Sequence, residues 1–133
     1  MADFDTEKTI QYWMESAVYD LETGQTLLRS RKFPYALFFG HLALEKMLKA
    51  LVVRCTGEHA PYSHSLLMLA RKAELDMPEA MLDQLAEIME FHTEARYPDV
   101  KKDFYQKCTP EFARAKFREI KKVYAWCLKK LGK

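Results

Sequence analysis

Phe33 to Arg54 reads FPYALFFGHLALEKMLKALVVR, and the fold turns on how this stretch is read. Its first dozen residues are almost all apolar or small, as in a helix buried nearly all round. A strand reading fails on length, because strands usually stop within about ten residues. Leu44 to Leu51 adds strong helix formers. The few polar groups, His41, Glu45 and Lys49, recur every four residues and stand one above the other on a single face. Glu45 precedes Lys49 in the orientation that favours an i,i+4 ion pair. The stretch is therefore expected to be a central helix with neighbours on most sides and one polar strip.

Upstream, Asp5 or Thr6 can cap a first helix. Ile10, Met14, Ala17, Leu21, Gly24 and Leu28 follow at spacings of four and three, a seam suited to a bundle. Gly24 on that seam could allow close approach to the central helix, or could be a mild weak point. Arg29 to Lys32 ends the helix with positive charge, and Pro34 opens the next at a first-turn position. So short a link predicts antiparallel neighbours. Downstream, Gly57 is expected as a left-handed cap. Ser63 or His64 then begins a short helix, Leu66 to Ala73. Asp76-Met77-Pro78-Glu79 resembles a capping box, starting a helix to about Phe91 or Thr93 with a seam of Leu82, Leu85, Met89 and His92. Glu94 to Thr109 shows no period and reads as a long loop, a kind of segment that is often functional. Thr109-Pro110 starts the last helix, with a seam of Ala113, Phe117, Ile120, Tyr124, Cys127 and Leu131. Its outer face carries Lys116, Arg118, Lys121, Lys122, Lys129 and Lys130. The expected fold is all-α, an up-and-down four-helix bundle with one short extra helix between helices two and three.

The 133 residues make one domain, 1–133. A chain of this length buries about two-thirds of its unfolded surface and needs no metal or disulfide to fold. Residues 1–100 hold 10 Lys and Arg against 16 Asp and Glu, a net charge of −6, whereas residues 101–133 hold 11 against 3, a net of +8. A basic C-terminal third can attract phosphate or an acidic partner, or be a solvated helix face. Cys55, Cys108 and Cys127 are widely spaced, which argues against a zinc site or a disulfide framework and suits a reducing cytosol. The acidic start MADFDTEK lacks the apolar core of a signal peptide, and no run reaches the ~20 apolar residues of a membrane span. A cytoplasmic protein is expected.

Several residues could carry chemistry. His64 stands at a helix start, where it can cap and pack or face the following loop. His92 lies four residues before Arg96. A His beside an Arg suits phosphodiester cleavage, with imidazole moving the proton and guanidinium holding the developing charge. A protonated His at a helix C-terminus, favoured by the dipole, is the structural alternative. Arg96-Tyr97-Pro98-Asp99 reads either as a turn closed by an Arg–Asp pair, or as a phosphate-binding Arg with a base-stacking Tyr, and Lys101 and Lys102 follow. No Walker loop, dinucleotide fingerprint, zinc-protease helix or nucleophile elbow occurs. The Glu-x-x-His pairs of a di-iron bundle are absent too, so neither a metal nor another cofactor is expected.

Four motifs follow in order: Tyr12-Trp13-x-x-x-Ala17-x-x-Asp20-Leu21, Ala43-Leu-Glu-Lys-Met-Leu-Lys-Ala-Leu51, His64-Ser-Leu66, and Arg96-Tyr-Pro-Asp99 before a basic last helix. In this order and spacing the chain resembles the HEPN domain family, named for higher eukaryote and prokaryote nucleotide binding, over nearly its whole length. The resemblance implies an up-and-down bundle, commonly homodimeric, that associates with nucleotides or RNA. It also implies a minimal nucleotidyltransferase partner in a toxin–antitoxin-like pair. His64, Arg96, Tyr97, Asp99, Lys101 and Lys102 are the expected binding residues. Some family members are metal-independent ribonucleases with an Arg followed four to six residues later by a His. Arg54 to His59 has that spacing but straddles Gly57, and His92 and Arg96, the expected catalytic pair, stand in reversed order. A nucleotide- or RNA-binding module is thus the leading expectation. A ribonuclease using His92 or His59, or a non-catalytic protein-interaction bundle, is the alternative.

Overall fold

The computed structural model describes residues 4–132 and, of residues 98–100, the backbone. Its seven helical segments are α1 (Thr6–Arg29), α2 (Phe33–Thr56), α3 (Leu66–Lys72), α4 (Glu79–Met89), α5 (Phe91–Glu94), α6 (Pro98–Lys107) and α7 (Pro110–Lys130). The chain is an all-α bundle as expected, and α2 is its axis. All six other segments touch α2. Fifteen of its 24 residues are buried, including the three of the polar strip. The strip is thus not a solvent-facing edge, and its charges must be satisfied inside the bundle.

Local chemistry sets the boundaries. Asp5 caps α1 by accepting from the Lys8 N–H at 3.0 Å. Pro34 sits in the first turn of α2, and Gly57 ends it with φ 72° and its N–H on the Val53 carbonyl. Three residues link α1 to α2, and a further tie is the ion pair of Asp20 with Lys46, 2.6 Å apart. The α7 seam is buried throughout from Ala113 to Leu131. The α1 seam is buried at Ile10, Ala17 and Gly24 but only half-buried at Met14, Leu21 and Leu28.

Three local expectations need correction. Ser65, not Ser63 or His64, caps α3, accepting from the Met68 N–H at 3.2 Å. The capping box at Asp76 does not form, because α4 starts after Pro78 with no side-chain cap. The long loop from Glu94 to Thr109 is largely the helix α6. Tyr97 is extended, as a residue before proline should be, and Pro98 then serves as the first helical residue. Phe104 anchors α6, buried with its ring 5.4 Å from that of Phe91.

Candidate functional site

Glu45 is the centre of a buried polar cluster. Its Oε2 lies 3.1 Å from Lys49 Nζ on the next turn of α2, the pair expected from the sequence. Its Oε1 lies 2.8 Å from His64 Nδ1 and 3.9 Å from His41 Nε2. Glu45 and Lys49 are both nearly inaccessible, so each needs the other to offset its lost hydration. Two rings lie within cation–π range of the ammonium, the half-buried Trp13 at 5.1 Å and the exposed Tyr62 at 5.9 Å.

His41 is fully buried beneath this cluster. Its Nε2 is 3.3 Å from the His64 carbonyl, which can only accept, so Nε2 carries the proton. Nδ1 is then a bare acceptor, buried and without a hydrogen-bond partner among the described residues. Burial pushes His41 down to about 4, against the pull of Glu45, and the ring is neutral near neutral pH.

His64 immediately precedes the Ser65 cap, so the α3 start fixes its backbone while Glu45 fixes its ring. His64 Nδ1–H donates to the Glu45 carboxylate, which can only accept, and the other ring nitrogen, Nε2, takes no part in that bond. His92, on α5, stacks on His64 with centroids 4.0 Å apart and planes at 23°. It also lies 5.2 Å from His41 and 5.7 Å from Phe38. Arg96 Nη1 donates to His92 Nε2 at 3.0 Å, since a guanidinium can only donate. Burial lowers the His92 pKa first, and the charges of His64 and Arg96 lower it further. The guanidinium carbon of Arg96 is also 5.8 Å from the ring centroid of Tyr97, and both side chains are exposed.

His64, His92, Arg96 and Tyr97 therefore share one face. Lys101 does not join it directly. It reaches Tyr35 Oη at 3.5 Å and sits over the Tyr35 and Tyr105 rings at 5.8 and 5.4 Å. The Tyr105 hydrogen bond, and then Lys101, lower the Tyr35 pKa. Lys102 is exposed, and the side chain of Asp99 lies outside the described residues. Arg54 and His59 do not converge. Arg54 donates to the Leu131 carbonyl at 3.2 Å, whereas His59 packs against Phe4 at 4.2 Å. Sequence reasoning missed His41, Glu45 and Lys49 as site residues, along with Trp13 and Tyr62. The available signal was a strictly four-spaced polar series inside an otherwise apolar helix.

The arrangement combines a carboxylate-oriented imidazole, a second imidazole stacked on it, and an exposed guanidinium. Such a set can bind an anion and move a proton. The imidazoles stack instead of converging, and among the described residues no group of three or more His, Cys, Asp or Glu could hold a metal ion. Among the described residues no helix is long and apolar enough to cross a membrane.

Comparison with known proteins agrees with this architecture. The structure is similar to that of TT1696 from Thermus thermophilus, with a TM-score of 0.77 and 24% identity, covering 91% of this chain and 97% of that one. It is also similar to ST0689, an archaeal HEPN homologue, with a TM-score of 0.72 and 22% identity, covering 91% and 96% of the two chains. These likenesses concern the fold. No curated protein matches the sequence. The family model described as "HEPN domain" matches residues 10–131, nearly the whole chain, and the protein belongs to the HEPN domain family.

Proposed function

We propose that this HEPN protein is a cytoplasmic homodimer that binds a nucleotide or RNA and works beside a minimal nucleotidyltransferase, as one half of a toxin–antitoxin-like pair. The binding face is His64, Arg96 and Tyr97, extended by Asp99, Lys101 and Lys102. One observation carries this reading: an exposed guanidinium lies against an exposed tyrosine ring at the edge of the His64–His92 stack. Guanidinium suits phosphate and an open aromatic face suits a base. The exposed rings of Tyr12, Tyr19 and Tyr62 support a protein–protein contact, since aromatics are enriched in interface cores. The test is titration of nucleotides and short RNAs, with Arg96→Ala beside the wild type. A loss of about tenfold or more in affinity is expected from one charge-assisted contact. Equal binding by both proteins overturns the reading of this face, and a monomer by light scattering overturns the dimer.

A second reading is a metal-independent ribonuclease. It is favoured by Glu45 Oε1 at 2.8 Å from His64 Nδ1 with His92 stacked on the same ring. One imidazole would take the proton of a ribose hydroxyl and the other return one to the leaving oxygen, with Arg96 against the charged phosphorus centre. Cleavage of labelled RNA in EDTA that disappears in both His64→Ala and His92→Ala selects this reading. Absence of cleavage by the wild type removes it.

A further inference from the structure

The last turn of α1 and the first half of α7 border a second site, which shares no residue with the His64–His92 face. At Gly24 an added Cβ would stand 3.0 Å from Phe117 Cε2 and 3.2 Å from the Ala36 carbonyl, so α1, α2 and α7 crowd together there. One turn further along, α1 ends and an open cleft of about 310 Å³ appears. Leu28 and Phe117 line it together with Gln25, Arg29, Arg114, Arg118 and Lys121. Its volume lies at the lower end of ligand-site sizes, roughly 300 Å³ upward.

The charge arrangement is one-sided. All four cationic side chains are exposed, and among the described residues none has a carboxylate within ion-pair distance. Arg114 and Arg118 are four residues apart, and Arg118 and Lys121 three, so these like charges are neighbours on one helix face and weaken it. On α7 Lys116 is matched by both Glu87 and Glu119, whereas Lys122, Lys129 and Lys130, like the three cations of the cleft, have no ion pair among the described residues; what sets the cleft apart is that its cations line one space. Here three cations on one helix and one on its neighbour face a common space with only Gln25 as a neutral polar group. Two arginine forks one turn apart, about 6 Å along the axis, fit oxygens on linked phosphates better than a single carboxylate.

We propose that this α1–α7 cleft binds a chain of linked phosphates, with Arg114 and Arg118 gripping the phosphoryl oxygens and Arg29 and Lys121 closing the ends. The phosphates come either from a nucleoside triphosphate or from a single-stranded RNA backbone. The site stands whether or not the His64–His92 face binds a base.

The experiment titrates wild-type protein at low salt with inorganic tripolyphosphate, a nucleoside triphosphate and oligouridylate, and follows backbone amide shifts. Saturable tripolyphosphate binding with shifts at residues 25–29 and 114–121 is expected, and the nucleotide and RNA should shift the same residues whether or not they also shift residues 62–64 and 92–97. The Arg114→Ala/Arg118→Ala protein should bind tripolyphosphate about tenfold or more weakly, whereas Lys129→Ala/Lys130→Ala, which removes two exposed α7 cations outside the cleft, should leave that affinity unchanged. Tighter binding of the triphosphate at one per chain supports a nucleotide. Preferential binding of oligouridylate, with a salt slope shallower by about 1.4 in the double variant, supports a strand backbone. The proposal is overturned if wild type shows no saturable binding at millimolar tripolyphosphate, if the Arg114→Ala/Arg118→Ala protein binds it as wild type does, or if tripolyphosphate shifts no amide of residues 25–29 and 114–121. All the substituted side chains are exposed, so a matching Tm separates loss of binding from loss of fold.

Discussion

Glu45 Oε1 and His64 Nδ1 lie 2.8 Å apart, although 19 residues separate them in the chain. That bond ties the middle of α2 to the segment that launches α3, and the same carboxylate holds Lys49 with its other oxygen. Glu45→Ala removes one partner from a buried ion pair and leaves the ammonium uncompensated. A loss of about 3–5 kcal/mol in unfolding free energy is expected from urea titration. Glu45→Leu/Lys49→Met removes both charges, and most of that loss should be recovered in the double variant.

His41 makes stability depend on pH. Its ordinary value of 6.5 falls to about 4 in the folded protein, chiefly through burial, so the folded ring refuses a proton that the unfolded chain accepts. Above 6.5 both states are neutral. Between 6.5 and 4 the unfolded state binds more protons and stability falls as pH falls; below 4 there is no further loss from this group. The full effect is roughly 3 kcal/mol. His92 is shifted in the same direction and steepens the decline. Urea midpoints measured across this range should drop with pH in the wild type and drop less steeply in His41→Leu.

Close packing of α2 on α7 gives a coupled pair. A Cβ on Gly40 would stand 2.7 Å from Ile120 Cδ1. Gly40→Ala alone should lose about 1–3 kcal/mol to overpacking, reduced by up to ~1 kcal/mol of helix propensity. In an Ile120→Val background, where Cδ1 is gone, the same change should be neutral or stabilising. The two variants together should then be more stable than the sum of their separate effects, with a coupling of at least about 0.5 kcal/mol.

The three cysteines should react unequally. Burial pushes the Cys108 and Cys127 thiols up to about 12, with little thiolate near neutral pH. Cys55 is exposed, but its Sγ donates to Glu74 Oε2 at 3.2 Å, and that bond raises its pKa. A chromogenic thiol reagent should modify one thiol per native chain, slowly, and all three after unfolding. Glu74→Gln should speed the single native reaction.

Much of this fold could be read because its long helices carry regular seams. Ala113 to Leu131 is buried as its spacing predicts, and Pro34 and Gly57 bound α2 as first-turn proline and left-handed cap. The half-burial of Met14, Leu21 and Leu28 follows from α1 resting chiefly on one neighbour, α2. The helix α6 escaped because its start signal, Pro98, also reads as a breaker, and its grip on the core rests on Phe104 and Cys108 with little period between. In the candidate site, His92 and Arg96 were legible as a local i,i+4 pair. Glu45 was not, because Lys49 already satisfied it in the local reading, and its bond to His64 spans a distance that no spacing rule encodes.

Because every other helical segment rests on α2, no one of them can shield it alone and none can be lost without uncovering part of it. Opening α1, or the short segments from α3 to α6, exposes part of α2 and leaves its contacts with α7 in place. Amide exchange should therefore be graded by distance from this axis. The amides of α2 between about Leu44 and Val53 should exchange only when the whole molecule unfolds, and those of α5 and α6 through much smaller openings. Such a hierarchy lets the edge that carries His92, Arg96 and Tyr97 loosen around a ligand while the axis that orients His64 stays closed.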